Sequence, residues 1–346
     1  MPFPRRRARA LLAAALSVVL VAALAGCGDS GDDAGAGSGD GAVKVVATTT
    51  VLGDVVREVG GDAVDVTQLL QPNSDPHDYE PRPDDVLATA KAKVVFASGD
   101  GLDGWIDDVV KQSGGDAALV DVAARLPVQR DGGDDAHDHA EEGAADESHA
   151  EEGHAEDDPG ATDPHWWHDP TNVETAAAVV RDELTKANPG GRATYAANAA
   201  RLVAQVRALD ASIRRCLDGV PVAQRKLVTD HDALGYFADR YDVEIVGAVI
   251  PSLSTQAQPS AGDLADLAKV IRREGARAVF PESGSSRKLP DAVAQETGAT
   301  AEYQLYGDSL GPADSAAGTY VGMEAHNADA MVRGFTGGAR GCTIER

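Results

Sequence analysis

Short β-branched runs alternate with helical stretches twice along this chain, and one long uninterrupted helical segment lies between the two series. In the first series the pattern predicts strands over 43–49, 63–69, 92–97 and 117–121. Helices fall between them over 52–59, 83–90 and 102–112, with Pro83 suited to a first helical turn. In the second series strands are expected over 226–229, 243–248, 276–280 and 300–304, and helices over 233–241, 260–274, 289–297 and 319–335. Strands alternating with helices in this way favour α/β architecture with mainly parallel sheets, here in two domains. Between the series, a helix over 172–187 is broken by Asn188-Pro189-Gly190-Gly191, and a second runs over 193–217. Leu202, Val206, Leu209 and Ile213 recur there every three to four positions, which marks one buried stripe. About 25 helical residues span about 38 Å at 1.5 Å per residue. Such a helix makes a stiff connection between the halves; the plainer alternative is that it belongs wholly to the second.

The amino terminus bears on compartment. Arg5, Arg6, Arg7 and Arg9 precede an apolar, alanine-rich run over 11–24 that ends in Leu24-Ala25-Gly26-Cys27. This is the pattern of a secretory signal, short for a comfortable membrane span. The closing tetrapeptide resembles a bacterial lipobox, which implies cleavage before Cys27 and lipidation of its thiol; the alternative is an ordinary cysteine at a cleavage site. Residues 28–42 are Gly, Asp, Ser and Ala, too polar and small to bury a core, and are expected to act as a flexible tether.

Composition narrows the partners. The formal charge is −25, and 13 of the acids lie between Asp131 and Asp158 with no Lys or Arg among them. No basic patch remains once the leading arginines are set aside, so nucleic-acid binding is disfavoured. The same acidic stretch, within an insert over 131–163, carries His137, His139, His149 and His154. Low hydrophobicity and high charge predict disorder there. Its histidines suit a weak, multisite zinc collector whose collection weakens as pH drops below about 6.5, where imidazole protonates; the alternative is a solvated acidic linker whose histidines do nothing. Beyond Cys27 the chain has only Cys216 and Cys342, an even pair that in an oxidising compartment reads as a disulfide, against the alternative of two buried thiols.

Three more histidines stand out by context: His77 in Asp75-Pro76-His77-Asp78-Tyr79, His165 in Asp163-Pro164-His165-Trp166-Trp167, and His231 in Thr229-Asp230-His231-Asp232. With Asp308, in Tyr306-Gly307-Asp308-Ser309, they supply an imidazole-rich set with a single carboxylate, which suits zinc. Ligands so far apart in sequence meet only where loops from both halves converge, as in a cleft.

The runs Asp75 to Pro81, Asp163 to Pro170, Asp230 to Phe237 and Gly307 to Ser309 resemble those of the metal-binding (cluster A-I) substrate-binding lipoproteins of bacterial zinc and manganese ABC transporters. The resemblance extends from Val43 to about Phe335. It implies two Rossmann-like lobes joined by one long helix, with metal in the interlobe cleft held by His77, His165, His231 and Asp308. It implies these segments: a signal peptide over 1–26, lipidated Cys27 and tether over 27–42, an N-terminal lobe over 43–190, a linking helix over 191–217 and a C-terminal lobe over 218–346. It also implies Zn2+ as cargo, an ABC permease and its ATPase as partners, anchorage to the cell membrane by lipid, and a monomer without enzymatic activity. Similar manganese-type proteins tend to carry a second carboxylate in place of the third histidine, which makes His231 the residue expected to set selectivity. One departure is His168, where similar proteins usually carry an apolar residue; it can hydrogen-bond a ligand as a partner, extend the binding loop into the histidine-rich insert, or face solvent, and the last is the expectation.

Other classes remain open on sequence alone: a manganese-type protein, a metal buffer or an adhesin without a permease, and a secreted zinc hydrolase. The last lacks a compact His-Glu-x-x-His pair, and Glu282 is the one plausible base, although a carboxylate at a strand end is more often a partner to a ligand.

Overall fold

In the computed structural model, which describes residues 41–132 and 162–344, the first half builds a four-stranded parallel sheet in the order β2-β1-β3-β4. Its strands are β1 (Val43–Ala47), β2 (Val64–Gln68), β3 (Val94–Ala97) and β4 (Ala118–Asp121), connected through α1 (Thr50–Gly60), α2 (Pro83–Thr89) and α3 (Ile106–Ser113). The apolar run of β3 is continuous because both of its faces are covered, as parallel strands require. Val94 and Phe96 point into the main core, while Val95 and Ala97 point to a smaller cluster with Ile106 and Val109 of α3.

Two helices lead to the second half: α4 (Pro170–Ala187) and α5 (Arg192–Asp218). Asp169 caps α4 by accepting from the Thr171 amide, with Pro170 in the first turn. The stripe of Leu202, Val206, Leu209 and Ile213 in α5 is fully buried and extends to Leu217. At about 1.5–3 kcal/mol for each such side chain, this stripe anchors the helix, and a charge at Leu209 would uproot it. The helix packs against α1 and α4 on one side and against α9 (Tyr320–Thr336) of the second half. It therefore belongs to neither half alone, and one hydrophobic core runs through both.

The second half carries β5 (Lys226–His231), α6 (Gly235–Tyr241), β6 (Glu244–Ile250), α7 (Ala261–Glu274) and α8 (Lys288–Thr297) before α9. Strands β5 and β6 pair in parallel. The strands expected over 276–280 and 300–304 are replaced by extended segments making isolated parallel bridges, Ala278 to Thr300 and Glu282 to Leu305. Phe280 donates to the Val228 carbonyl, so these segments still continue the β5 layer. Pro281 brings no amide donor to that edge, which breaks a regular ladder. Cys216, at the end of α5, is joined to Cys342 by a disulfide, with 5.5 Å between the Cα atoms. The signal peptide, Cys27, the tether up to residue 40, and His137, His139, His149 and His154 lie outside the described residues.

Candidate metal centre

The four donors sit where parallel α/β folds expose ligand sites, at the carboxyl ends of strands and in the loops that follow. His231 is the last residue of β5. Asp308 follows the bridge at Leu305. His77 lies in a short 3-10 turn, Pro76–Asp78, after β2, and His165 immediately precedes another, Trp166–His168, that leads into α4.

These side chains converge. Their donor atoms all lie within 4.8 Å of one another. Nε2 of His165 is 3.4 Å from Nε2 of both His77 and His231. Asp308 Oδ1 is 3.3 Å from Nε2 of His165 and of His231, and Oδ2 is 3.5 Å from Nε2 of His77. A tetrahedron with metal–ligand bonds of about 2.0–2.1 Å has edges of about 3.3–3.4 Å. Four of these separations, those among Nε2 of the histidines and Oδ1 of Asp308, match such edges, while the other oxygen, Oδ2, meets His77. His165 and His231 are 0% and 1% exposed, Asp308 3%, and the His77 side chain 8%. Asp308 Oδ1 is buried without an aligned hydrogen-bond donor, although two imidazole nitrogens are at contact distance. Contact without alignment is what lone pairs turned toward a common centre produce.

The electrostatics point the same way. Burial pushes the His165 imidazole down, but Asp163 and Asp308 outweigh it and carry the ring up to about 9. His231 is likewise raised despite its burial, by Asp308 and Glu282. Burial would raise Asp308, yet the surrounding imidazoles hold it well below the ordinary carboxylate range. This is a pocket that stabilises added positive charge, and a dication can supply it in place of protons.

A second layer orients these side chains. Asp163 accepts from the His165 amide (2.9 Å) and faces its Nδ1 at 2.8 Å. Glu282 Oε2 lies 3.0 Å from His231 Nδ1, while Oε1 accepts from the amides of Gly307 (3.2 Å) and Asp308 (2.8 Å). One carboxylate thus ties two ligands together and directs the His231 Nε2 inward, the usual role of a carboxylate behind a metal-binding imidazole. A Cβ on Gly307 would stand 3.0 Å from Glu282 Oε1, so the close approach favours glycine.

His168 does not face solvent, contrary to the expectation from sequence. It is fully buried, with Nδ1 2.7 Å from Glu324 Oε1 and Nε2 3.0 Å from the Gly307 carbonyl. The preceding Trp residues, both buried, pull the turn inward and carry His168 with them. Asp163, Glu324, Thr255 and Gln256 do not stand out in the sequence as site residues. Glu324 had a signal: it stands four residues after Tyr320 on the buried stripe of α9, a charge on an apolar face. Thr255 and Gln256, which donate to Asp75 and to the His77 carbonyl, had none, since they act through loops that meet only in the fold.

A two-part α/β protein with three imidazoles and one carboxylate converging at strand ends is defined as a metal-binding substrate receptor. The chain belongs to the family described as the periplasmic component A of the zinc-uptake complex, matched over residues 45–334. It is 31% identical over 317 residues to a manganese-binding lipoprotein of Bacillus subtilis, covering 90% of this chain and 94% of the relative. It is 30% identical over 299 residues to a zinc-binding protein of Treponema pallidum, covering 85% and 89%. The solved structure of the periplasmic zinc-binding protein of Treponema pallidum superposes with a TM-score of 0.73 at 28% identity, covering 85% of this chain and 99% of that one. Family and structural neighbours are metal-binding transport proteins and not enzymes, which removes the hydrolase reading.

Proposed function

We propose that this protein captures Zn2+ outside the cytoplasm and delivers it to an ABC permease and its ATPase. The observation that carries this reading is the convergence of His77, His165, His231 and Asp308, whose donor atoms all lie within 4.8 Å of one another. Three borderline imidazoles with one carboxylate form a donor set that favours zinc over manganese. Lipid attachment at Cys27 anchors the protein to the cell membrane, with residues 28–42 as tether and the acidic insert as a collector of zinc. The division into lobes over 43–190 and 218–346 joined by a helix over 191–217 belongs to the same proposal, as does action as a monomer.

One observation favours manganese as the second reading. Both oxygens of Asp308 face the imidazoles, Oδ1 toward His165 and His231 and Oδ2 toward His77. A carboxylate so placed can bind through both oxygens and accommodate a larger, oxygen-preferring ion. Competition titration decides between them. Zinc should outcompete manganese in the unaltered protein, and His231→Glu should shift preference toward manganese while keeping one metal per chain. Equal or higher affinity for manganese in the unaltered protein overturns zinc as cargo; unchanged zinc affinity in His231→Glu removes His231 from the site.

A further inference from the structure

Asp308 is the one hard ligand of the centre, and the distance between its oxygens and the imidazoles decides how many oxygens a bound ion receives. No hydrogen-bond donor is aligned on its Oδ1, so the peptide that carries Asp308 has a large part in placing it. That backbone is held on both sides. On one side Glu282 Oε1 accepts from the Gly307 and Asp308 amides. On the other, the Gly307 carbonyl accepts from Trp167 Nε1 at 2.8 Å and faces His168 Nε2 at 3.0 Å. A carbonyl only accepts, so His168 carries a hydrogen on Nε2, and its Nδ1 meets Glu324 Oε1 at 2.7 Å across one further proton.

His168 and Glu324 are both 0% exposed, and the second oxygen of Glu324 is buried without a hydrogen-bond partner. A buried pair with an unsatisfied oxygen is a poor way to fill a core, since apolar residues of similar volume are often as stable or more so. The pair is explained by what it does at Gly307. We infer that His168, locked by Glu324, is a positioning residue that fixes the Gly307–Asp308 peptide and so holds Asp308 with Oδ1 3.3 Å from Nε2 of both His165 and His231 and with Oδ2 turned to His77. This rests on the metal-binding reading above and deepens it, because it assigns part of the zinc-over-manganese discrimination to groups that touch no metal. With the carbonyl released, the carboxylate can move in until both oxygens reach one ion, a higher coordination number that manganese prefers.

The test uses the purified protein with Zn2+, Mn2+ and Co2+ as probes, in the unaltered form and in His168→Phe, His168→Gln and Glu324→Leu. Co2+ reports coordination number directly, since tetrahedral sites absorb far more strongly in the visible than five- or six-coordinate ones. We expect His168→Phe to lower the zinc-to-manganese affinity ratio about tenfold, the lower end of what outer partners of metal ligands contribute, and to weaken the Co2+ bands. Glu324→Leu should move both readouts in the same direction by less. His168→Gln, whose amide can still donate to the Gly307 carbonyl, should restore them. If His168→Phe folds and lowers only the melting temperature, with ratio and spectrum unchanged, the role is structural and the inference is overturned. If His168→Phe does not fold, Glu324→Leu decides in its place: a lowered ratio with weaker bands supports the positioning role, and unchanged readouts overturn it. Failure of the unaltered protein to take up any of the three ions overturns the metal reading itself and is recognised before any variant is compared.

Discussion

Asp75-Pro76-His77 and Asp163-Pro164-His165 are the same tripeptide in two places, and they do the same thing locally. In each, the Asp carboxylate accepts from the amide of the histidine two residues on, at 2.9 Å. This is an Asx turn that Pro at the middle position preorganises. The two then diverge. The Asp163 oxygen that takes the amide also faces the ring Nδ1 of His165, and its other oxygen faces Arg130 at 3.6 Å, with Asp163 and His165 wholly buried. Asp75 instead sends its second oxygen across the cleft, where the Thr255 hydroxyl donates to it at 2.6 Å. His77 is the most exposed of the four ligands, and Gln256 contacts its carbonyl and the Asp78 carboxylate. Tripeptide chemistry sets the backbone turn, whereas tertiary surroundings decide whether the carboxylate orients the ring or staples the loop. In the proposed centre His165 is thus a fixed floor for the ion, and His77 a rim ligand held by contacts from the far side.

Ligand deletion should separate floor from rim most strongly. His165→Ala removes the ligand whose Nε2 faces His77, His231 and Asp308, and affinity for zinc should fall by at least about a hundredfold, beyond the 10–100-fold attached to outer partners alone. His77→Ala leaves three protein donors and a position at the rim that water can fill, as in catalytic zinc sites. Its loss should be nearer tenfold. Calorimetry with a competing chelator measures both, and equal losses would erase the distinction between floor and rim.

Proton competition comes next in size. In the metal-free protein the His165 ring, raised to about 9, holds a proton at neutral pH, and His231 is raised as well. Metal needs the lone pair that proton occupies, so binding expels it. The sign follows: zinc affinity should climb with pH up to about 9, by about tenfold per unit for each proton released. Binding measured in buffers of differing ionisation enthalpy counts those protons. A pH-independent affinity between 6 and 8 would show that neither ring is protonated before metal arrives, and would remove the electrostatic contrast between floor and rim.

Most of this centre was legible in sequence because its chemistry is local. The repeated Asp-Pro-His, the His231 at the end of a β-branched run, and the Gly-Asp before α9 each mark a turn with a donor at its tip. The long helix was legible for the same kind of reason, since Leu202, Val206, Leu209 and Ile213 keep one period through to Leu217. What sequence did not disclose depends on packing between distant segments. The side chain of His168 is turned inward by two buried Trp neighbours and by Glu324, 156 residues away. The strands expected over 276–280 and 300–304 have the right composition, yet Pro281 withholds a donor and leaves them as single bridges. Glu282 was visible as a carboxylate at a strand end, but its grip on His231 and on the Asp308 amide exists only once β5 and the 305–310 loop lie side by side.

The smallest expected effect tests the rim directly. Thr255→Val removes one hydroxyl that reaches Asp75 from 180 residues away and preserves the shape of the side chain. A hydrogen bond to a charged group contributes about 1.5–3 kcal/mol net, and at 1.4 kcal/mol per decade the lower end corresponds to about tenfold. That is an upper limit here, because Gln256 still holds the His77 carbonyl. The change should appear as faster zinc release, since the staple closes the side of the site where His77 is exposed and leaves His165, His231 and Asp308 untouched. Stopped-flow release into excess chelator should therefore speed up several-fold, while the Co2+ spectrum, which reports the ligands themselves, stays as it was. A spectrum that changes along with the rate would mean that Asp75 positions the His77 ring after all, making the two Asp-Pro-His turns alike in role as well as in sequence.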